Sequence, residues 1–209
     1  MKKILGILLV IAMALFGLAA CANGNPNGDD SGSKGESGVT GDNGETANPP
    51  AETSSEILIA YFSCTNTTKG VAQAIHNQLS GSDVYQITPA IAYTTADLNY
   101  NTDCRANREQ NDDKARPAIS GSVENINKYD VIFIGYPIWW GQAPKIIYTF
   151  FESYDYDFDG VTIIPFCTSG SSGIGSSATN LHGLAPKANW KSGARISGNN
   201  VSSLIAQMN

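Results

Sequence analysis

The chain predicts an α/β domain built on a parallel sheet, and three observations carry that prediction. The runs Ile57–Phe62, Val131–Tyr136 and Val161–Phe166 are apolar without polar alternation, as strands buried on both faces are. Segments with apolar residues at helical spacing lie between them, and strands that alternate with helices favour parallel pairing. Each run also opens directly onto a loop of small hydroxylated residues, glycine or tryptophan.

The first strand is expected at Ile57–Phe62. Val71, Ala72, Ile75 and Leu79 recur at helical spacing, so a helix follows at Lys69–Leu79. Between them stand Ser63, Thr65, Asn66, Thr67 and Thr68. A strand–loop–helix turn aims backbone N–H groups at one point, with the positive end of the helix dipole behind them. Hydroxyl donors added to such a turn suit a phosphate. Lys69 agrees, because a cation in the first helical turn is unfavourable by about 0.3–1 kcal/mol unless an anion sits there. A helix cap would need one hydroxyl; this loop has Ser63, Thr65, Thr67 and Thr68. It is not a nucleoside-triphosphate loop, which requires G-x-x-x-x-G-K-[ST].

A second strand is expected at Asp83–Ile87. The long polar excursion Ala90–Ile119 follows in place of a simple crossover helix. Thr102–Lys114 reads as a solvated surface helix, with Tyr93, Tyr100 and Arg105 as the residues of interest in the excursion. The third strand, Val131–Tyr136, runs into Pro137, Ile138, Trp139, Trp140, Gly141, Gln142, Ala143 and Pro144. Adjacent residues point in different directions, so two neighbouring tryptophans are not expected to pack inward together. Exposed aromatic surface at a strand end usually serves binding. A helix is expected at Pro144–Phe151. Asp155, Asp157 and Asp159 alternate with aromatics just before the next strand, and so form a solvated turn at the opposite end of the sheet. The fourth strand, Val161–Phe166, leads to Cys167, Thr168, Ser169, Gly170, Ser171, Ser172 and Gly173, a loop with little side-chain bulk against which a flat ligand edge could lie. A helix at Ser176–Leu184, a fifth strand at Gly193–Ile196 and a last helix at Val201–Met208 complete the domain.

From Ile57 to the C-terminus, these three loops resemble the flavodoxin family in order and spacing. The match is to members with a Y-F-S-x-T-G-N-T phosphate loop and a P-x-W-W-G loop. Asn66 departs from the usual Gly and Thr67 from the usual Asn; Asn tolerates a positive φ better than most residues. The resemblance implies a doubly wound parallel five-stranded sheet of order 2-1-3-4-5, with the ligand at the C-terminal ends of strands one and three. It implies bound FMN, redox chemistry and no metal. Ser63, Thr65, Asn66, Thr67 and Thr68 would hold the phosphate. Pro137, Ile138, Trp139, Trp140 and Gly141 would flank the ring system, one Trp stacking on it, and Thr168, Ser169, Gly170 and Gly173 would line its other edge. Arg105, Arg108 and Arg116 are expected in an excursion that covers the ring, where a cation would raise its potential.

The N-terminus reads as a lipoprotein signal at 1–20. Lys2 and Lys3 precede Ile4–Leu18, an apolar run too short to span a bilayer comfortably, and Leu18-Ala19-Ala20-Cys21 resembles a lipobox. Cys21 would carry a diacylglyceryl anchor, and two acyl chains anchor stably. Ala22–Ser54 is a Gly-, Asn-, Ser- and Asp-rich stretch that cannot bury enough surface to fold. As a tether it would span on the order of 30 Å, or ~110 Å stretched. Residues 55–209 suffice for one domain. The formal charge of −6 comes largely from the tether, and no basic stripe suggests nucleic acid.

Cys64, Cys104 and Cys167 remain, an odd number. Cys64 and Cys167 leave strands two steps apart, about 9.5 Å, beyond the ~7 Å disulfide limit; Cys104 could reach either. His76 and His182 stand alone, without metal-ligand company. The functional expectation is an FMN-binding electron-transfer protein at the outer face of a membrane, with a redox partner or a small acceptor. A reductase of a quinone or small acceptor, and a binding module without FMN, are the alternatives.

Overall fold

The computed structural model describes residues 55–209. The expected signal, Cys21 and the tether lie outside the described residues. The chain runs through β1 (Ile57–Tyr61), α1 (Thr67–Gln78) and β2 (Asp83–Gln86) into the excursion, which holds β3 (Thr88–Pro89), α2 (Arg105–Asn111) and β4 (Ile119–Ser120). There follow β5 (Val131–Pro137), α3 (Lys145–Glu152), β6 (Thr162–Thr168), α4 (Gly175–Thr179), β7 (Asn189–Trp190), β8 (Ala194–Arg195) and α5 (Ser202–Ile205). The main sheet is ordered β2-β1-β5-β6-β7, with β8 also on β6, and every pair in it is parallel. With β7 and β8 taken as one interrupted strand, this is the expected order 2-1-3-4-5.

Alternate residues of each strand enter separate cores on the two faces. Leu58, Ala60, Ile132, Ile134 and Ile163 pack on one side with Ile146, Ile147, Phe150 and Phe151 of α3. Ile59, Tyr61, Val131, Phe133, Ile164 and Phe166 pack on the other with Val71, Ala72 and Ile75 of α1 and Leu204 of α5. Each such buried side chain contributes about 1.5–3 kcal/mol, which is why the strands show no polar alternation. At Gly135 the sheet has no room for a side chain: a Cβ would lie 2.1 Å from the Phe166 ring.

The fifth strand departs from expectation. Asn189, Lys191 and Ile196 donate their N–H groups to the carbonyls of Val161, Ile163 and Cys167. Between the last two bonds the edge advances five residues while β6 advances four, so one residue is extra. The break falls opposite Pro165, which has no N–H to offer that neighbour. Gly193 absorbs it at φ +65, where an added Cβ would sit 2.0 Å from the Pro165 carbonyl oxygen. Three of the helices are also shorter than expected. The excursion helix begins at Arg105 because Cys104 Sγ accepts the Asn107 N–H at 3.4 Å. The segments 176–184 and 201–208 each split into a short α-helix and a 3-10 turn. None of the described helices is long and apolar enough to cross a membrane.

Candidate functional site

A cavity of about 630 Å³ opens at the C-terminal ends of β1 and β5, where the strand order reverses. Its first wall is the β1–α1 turn. Asn66 adopts φ 64, a left-handed conformation that Asn accepts more readily than most residues, and so turns the chain into α1. No side chain caps that helix, which leaves its first-turn N–H groups free of a side-chain acceptor beside the cavity. Thr65, Asn66, Thr67, Gly70 and Val71 line it. The Thr65 and Thr67 hydroxyls are 3.1 Å apart. Thr68 faces elsewhere: it is buried, and its hydroxyl meets that of Thr168 at 2.8 Å, tying this turn to the end of β6. Ser63, expected at the phosphate, does not line the cavity, and its Oγ is buried with no hydrogen-bond partner. Lys69 is exposed.

The second wall corrects the reading of the tryptophan pair as exposed surface. Trp139 and Gln142 exchange backbone hydrogen bonds at 3.0 and 2.9 Å, closing a two-residue turn. Trp140 (φ 46) and Gly141 (φ 76) occupy its centre, both with the positive φ that such a tight hairpin needs. This turn sends the rings apart. Trp139 is buried, edge-to-face on Phe62 at 5.3 Å and on Tyr93 at 5.1 Å, and still forms part of the cavity wall with Pro137 and Ile138. Trp140 and Gly141 do not line the cavity. The Trp140 ring stacks instead on Tyr100 of the excursion, at 4.0 Å and 13°. Tyr100 donates to the Ile138 carbonyl at 3.2 Å and does line the cavity. Gln110 of α2 holds this loop from behind. Its amide nitrogen donates to the Trp139 and Ala143 carbonyls at 3.1 and 3.2 Å, and its oxygen accepts the Lys145 N–H at 3.0 Å.

Thr168, Ser169 and Gly170 form the third wall; Gly173 does not reach it. A fourth wall, Ile196–Asn199 after β8, was not expected. Its Ser-Gly-Asn composition matches the other strand-exit loops and is the signal that could have found it. Arg195 likewise went unmarked, and it donates to the Ser169 and Gly170 carbonyls at 3.3 and 3.1 Å.

Among the described residues no charged one lines the cavity. The excursion arginines do not cover it as expected, because acidic partners hold them elsewhere. Arg105 lies over the Tyr93 ring at 4.0 Å and pairs with Glu109 at 2.7 Å; Arg108 pairs with Asp103, and Arg116 with Glu152. Cys64, Cys104 and Cys167 are all free thiols. Burial pushes the Cys64 and Cys167 thiols up to about 11. His76 bonds Ser82 at 3.0 Å and His182 stacks on Trp190. Among the described residues no group of His, Cys, Asp and Glu could hold a metal ion.

Comparison with known proteins agrees with this architecture. A family profile described as flavodoxin matches residues 56–208. No curated protein sequence matches. Among solved structures, a candidate flavoprotein from Bacteroides eggerthii is 47% identical with a TM-score of 0.67, over 73% of this chain and 95% of that one. Another from Bacteroides uniformis is 39% identical with a TM-score of 0.67, over 74% and 97%. A flavoprotein from Lactobacillus acidophilus solved in complex with FMN is 22% identical, at a TM-score of 0.60 over 75% and 100%, and shows the fold alone. The profile match over most of the chain and the 47% identity to a protein it covers almost completely establish that this chain belongs to the flavodoxin family.

Proposed function

We propose that the chain is an FMN-binding electron-transfer flavoprotein, held at the outer face of a bacterial membrane by lipid on Cys21. One observation carries the cofactor reading. A single cavity offers an uncapped helix N-terminus with hydroxyls at one end and aromatic walls at the other, with no carboxylate between. FMN has the complementary ends, a phosphate and a flat ring system.

Thr65, Asn66, Thr67 and the first-turn amides of α1 would hold the phosphate. Trp139 and Tyr100 would flank the ring system, and Thr168–Gly170 would meet its edge. Bound FMN supplies one- and two-electron redox chemistry. The protein orients the ring, shields it from water with Trp139 and Ile138, and adds no negative charge to its surroundings. An uncharged wall favours a less negative reduction potential than an acidic one would.

Titration with FMN and riboflavin tests this. Hydrogen bonds to charged groups contribute about 1.5–3 kcal/mol each, so two bonds to phosphate make FMN bind about a hundredfold more tightly or better. Equal affinity for the two flavins would remove the β1–α1 turn from the site, and absence of flavin binding would leave a fold without its cofactor. The anchor rests on Lys2, Lys3, the apolar run and the Leu18–Cys21 pattern. Cys21→Ala should move the protein from the membrane fraction to the soluble one; lipid labelling that survives the substitution would refute it.

A further inference from the structure

Beside the first cavity lies a second, of about 550 Å³, lined by Cys64, Tyr93, Leu98 and Asn99, with Thr65 and Tyr100 common to both. We infer that this second cavity binds a neutral, planar aromatic carbonyl compound, seated next to the occupant of the first. Four observations carry the inference. The volume suits a small molecule, for which pockets run about 300–1,000 Å³. Tyr93 and Tyr100 line it with aromatic surface and Leu98 with aliphatic surface, and a planar ring is a natural complement of such a lining.

Among the described residues its lining is also uncharged. None of its lining residues is acidic or basic. Arg105, the nearest cation by its stacking on Tyr93, is spent on that ring, on Glu109 and on the Ile91 carbonyl. The Tyr93 hydroxyl is spent on Glu109. Burial keeps the Cys64 thiol protonated at neutral pH. A ligand with phosphates, such as a pyridine nucleotide, would find no cation among these residues to offset its charge. Donors for a carbonyl oxygen are present. Asn99 Oδ1 already accepts the Asn101 N–H, which leaves its NH2 to donate, and Thr95 adds a hydroxyl. Contact with the first cavity through Thr65 and Tyr100 gives the occupant meaning as an electron acceptor only on the FMN reading; the binding itself does not depend on it.

Menadione, a neutral naphthoquinone, is the probe, measured by calorimetry on the full chain with and without FMN. The expected result is saturable one-to-one binding in both forms, with no displacement of FMN. Ala96→Trp, on an exposed turn lining the cavity, should weaken menadione about tenfold or more and leave flavin affinity within about twofold. Leu98→Ala should weaken it more modestly and serves if the larger substitution disturbs folding. A sulfonated naphthoquinone should bind about tenfold less tightly than menadione, since a charge would enter an uncharged site. Competition between menadione and FMN, indifference to both substitutions, or equal affinity for the sulfonate would each overturn the inference. Menadione binding with these sensitivities in a protein that does not take up FMN would sink the flavin reading and leave this one standing.

Discussion

Replacing Gln110 by Leu isolates the part played by the excursion in shaping the site. The Gln110 side chain is 9% exposed and makes three hydrogen bonds, to the Trp139 and Ala143 carbonyls and from the Lys145 N–H. Leu keeps most of the volume and removes all three. A typical bond contributes about 0.5–1.5 kcal/mol net, and stranding its buried partner costs more. Three together give a loss of about 2–4 kcal/mol, against a domain stability of about 5–15 kcal/mol. The protein therefore stays folded, with a melting temperature lower by roughly 5–15 °C. The loop that carries Trp139 also loses its support, so FMN affinity should fall about tenfold or more. Urea unfolding followed by tryptophan fluorescence reads the first effect, with an unchanged slope if the native state is otherwise intact; flavin titration reads the second. Gln73→Ala, which removes an exposed bond to Asn77 on α1, is the control and should do neither. If Gln110→Leu changes stability by less than about 0.5 kcal/mol and spares FMN binding, the Trp139–Gln142 turn holds itself and the argument fails.

Three further outcomes are expected. Gly193→Ala combines a left-handed φ with a Cβ 2.0 Å from the Pro165 carbonyl and should cost about 2–5 kcal/mol. Gly160→Ala, at φ +75 with open space, should cost only about 1–2 kcal/mol; equal melting temperatures would refute the close approach. Tyr100→Ala should weaken FMN by about 1–3 kcal/mol and Trp140→Ala by less, because Tyr100 is in the cavity wall and Trp140 is behind it; the reverse ranking in a flavin titration would place Trp140 on the ring. Hydrogen bonds from Lys128 and Tyr129 hold the Asp83 carboxyl below the usual aspartate range. A lowered folded value stabilises above the unfolded value of about 3.9 and is lost as pH falls through the folded value. Asp83→Asn should therefore lower stability at neutral pH and flatten the acid limb of its pH profile; an unchanged limb would show that the bonds are not maintained in solution.

The parts of the fold that were legible in the sequence are those decided locally or by two-sided burial. The first, third and fourth strands and α1 lie within about two residues of expectation, because an apolar run buried on both faces leaves few registers. The β3–β4 pair was not legible: Thr88–Pro89 and Ile119–Ser120 carry no periodicity and exist only through pairing with each other. The interrupted fifth strand has its cause in Pro165, a residue of the neighbouring strand, so its own sequence could not announce the break. At the site, the hydroxyl loop was readable because a helix start and its donors are contiguous. The inward turn of Trp139 was not, since Phe62 and Tyr93, which receive it, are far away in the chain. The expectation that the arginines face the ligand failed for a related reason: Glu109 and Glu152 compete for them, and proximity in sequence does not say which partner wins.

The two free thiols at the strand ends differ from ordinary cysteines in how readily they oxidise. With the Cys64 and Cys167 thiols at about 11, the ionised fraction at pH 7 is on the order of one in ten thousand, against a few per cent for an ordinary cysteine. Thiol–disulfide exchange proceeds through the thiolate, and the greater nucleophilicity of a more basic thiolate offsets part of the loss, so folding slows oxidation at these positions by about one order of magnitude before steric access is considered. On the anchored reading proposed above, Cys64 and Cys167 are most open to oxidation before the sheet closes over them. Mixed disulfides and wrongly paired dimers should accumulate in destabilised variants such as Gly193→Ala, which populate the open chain more, and be scarce in the native chain.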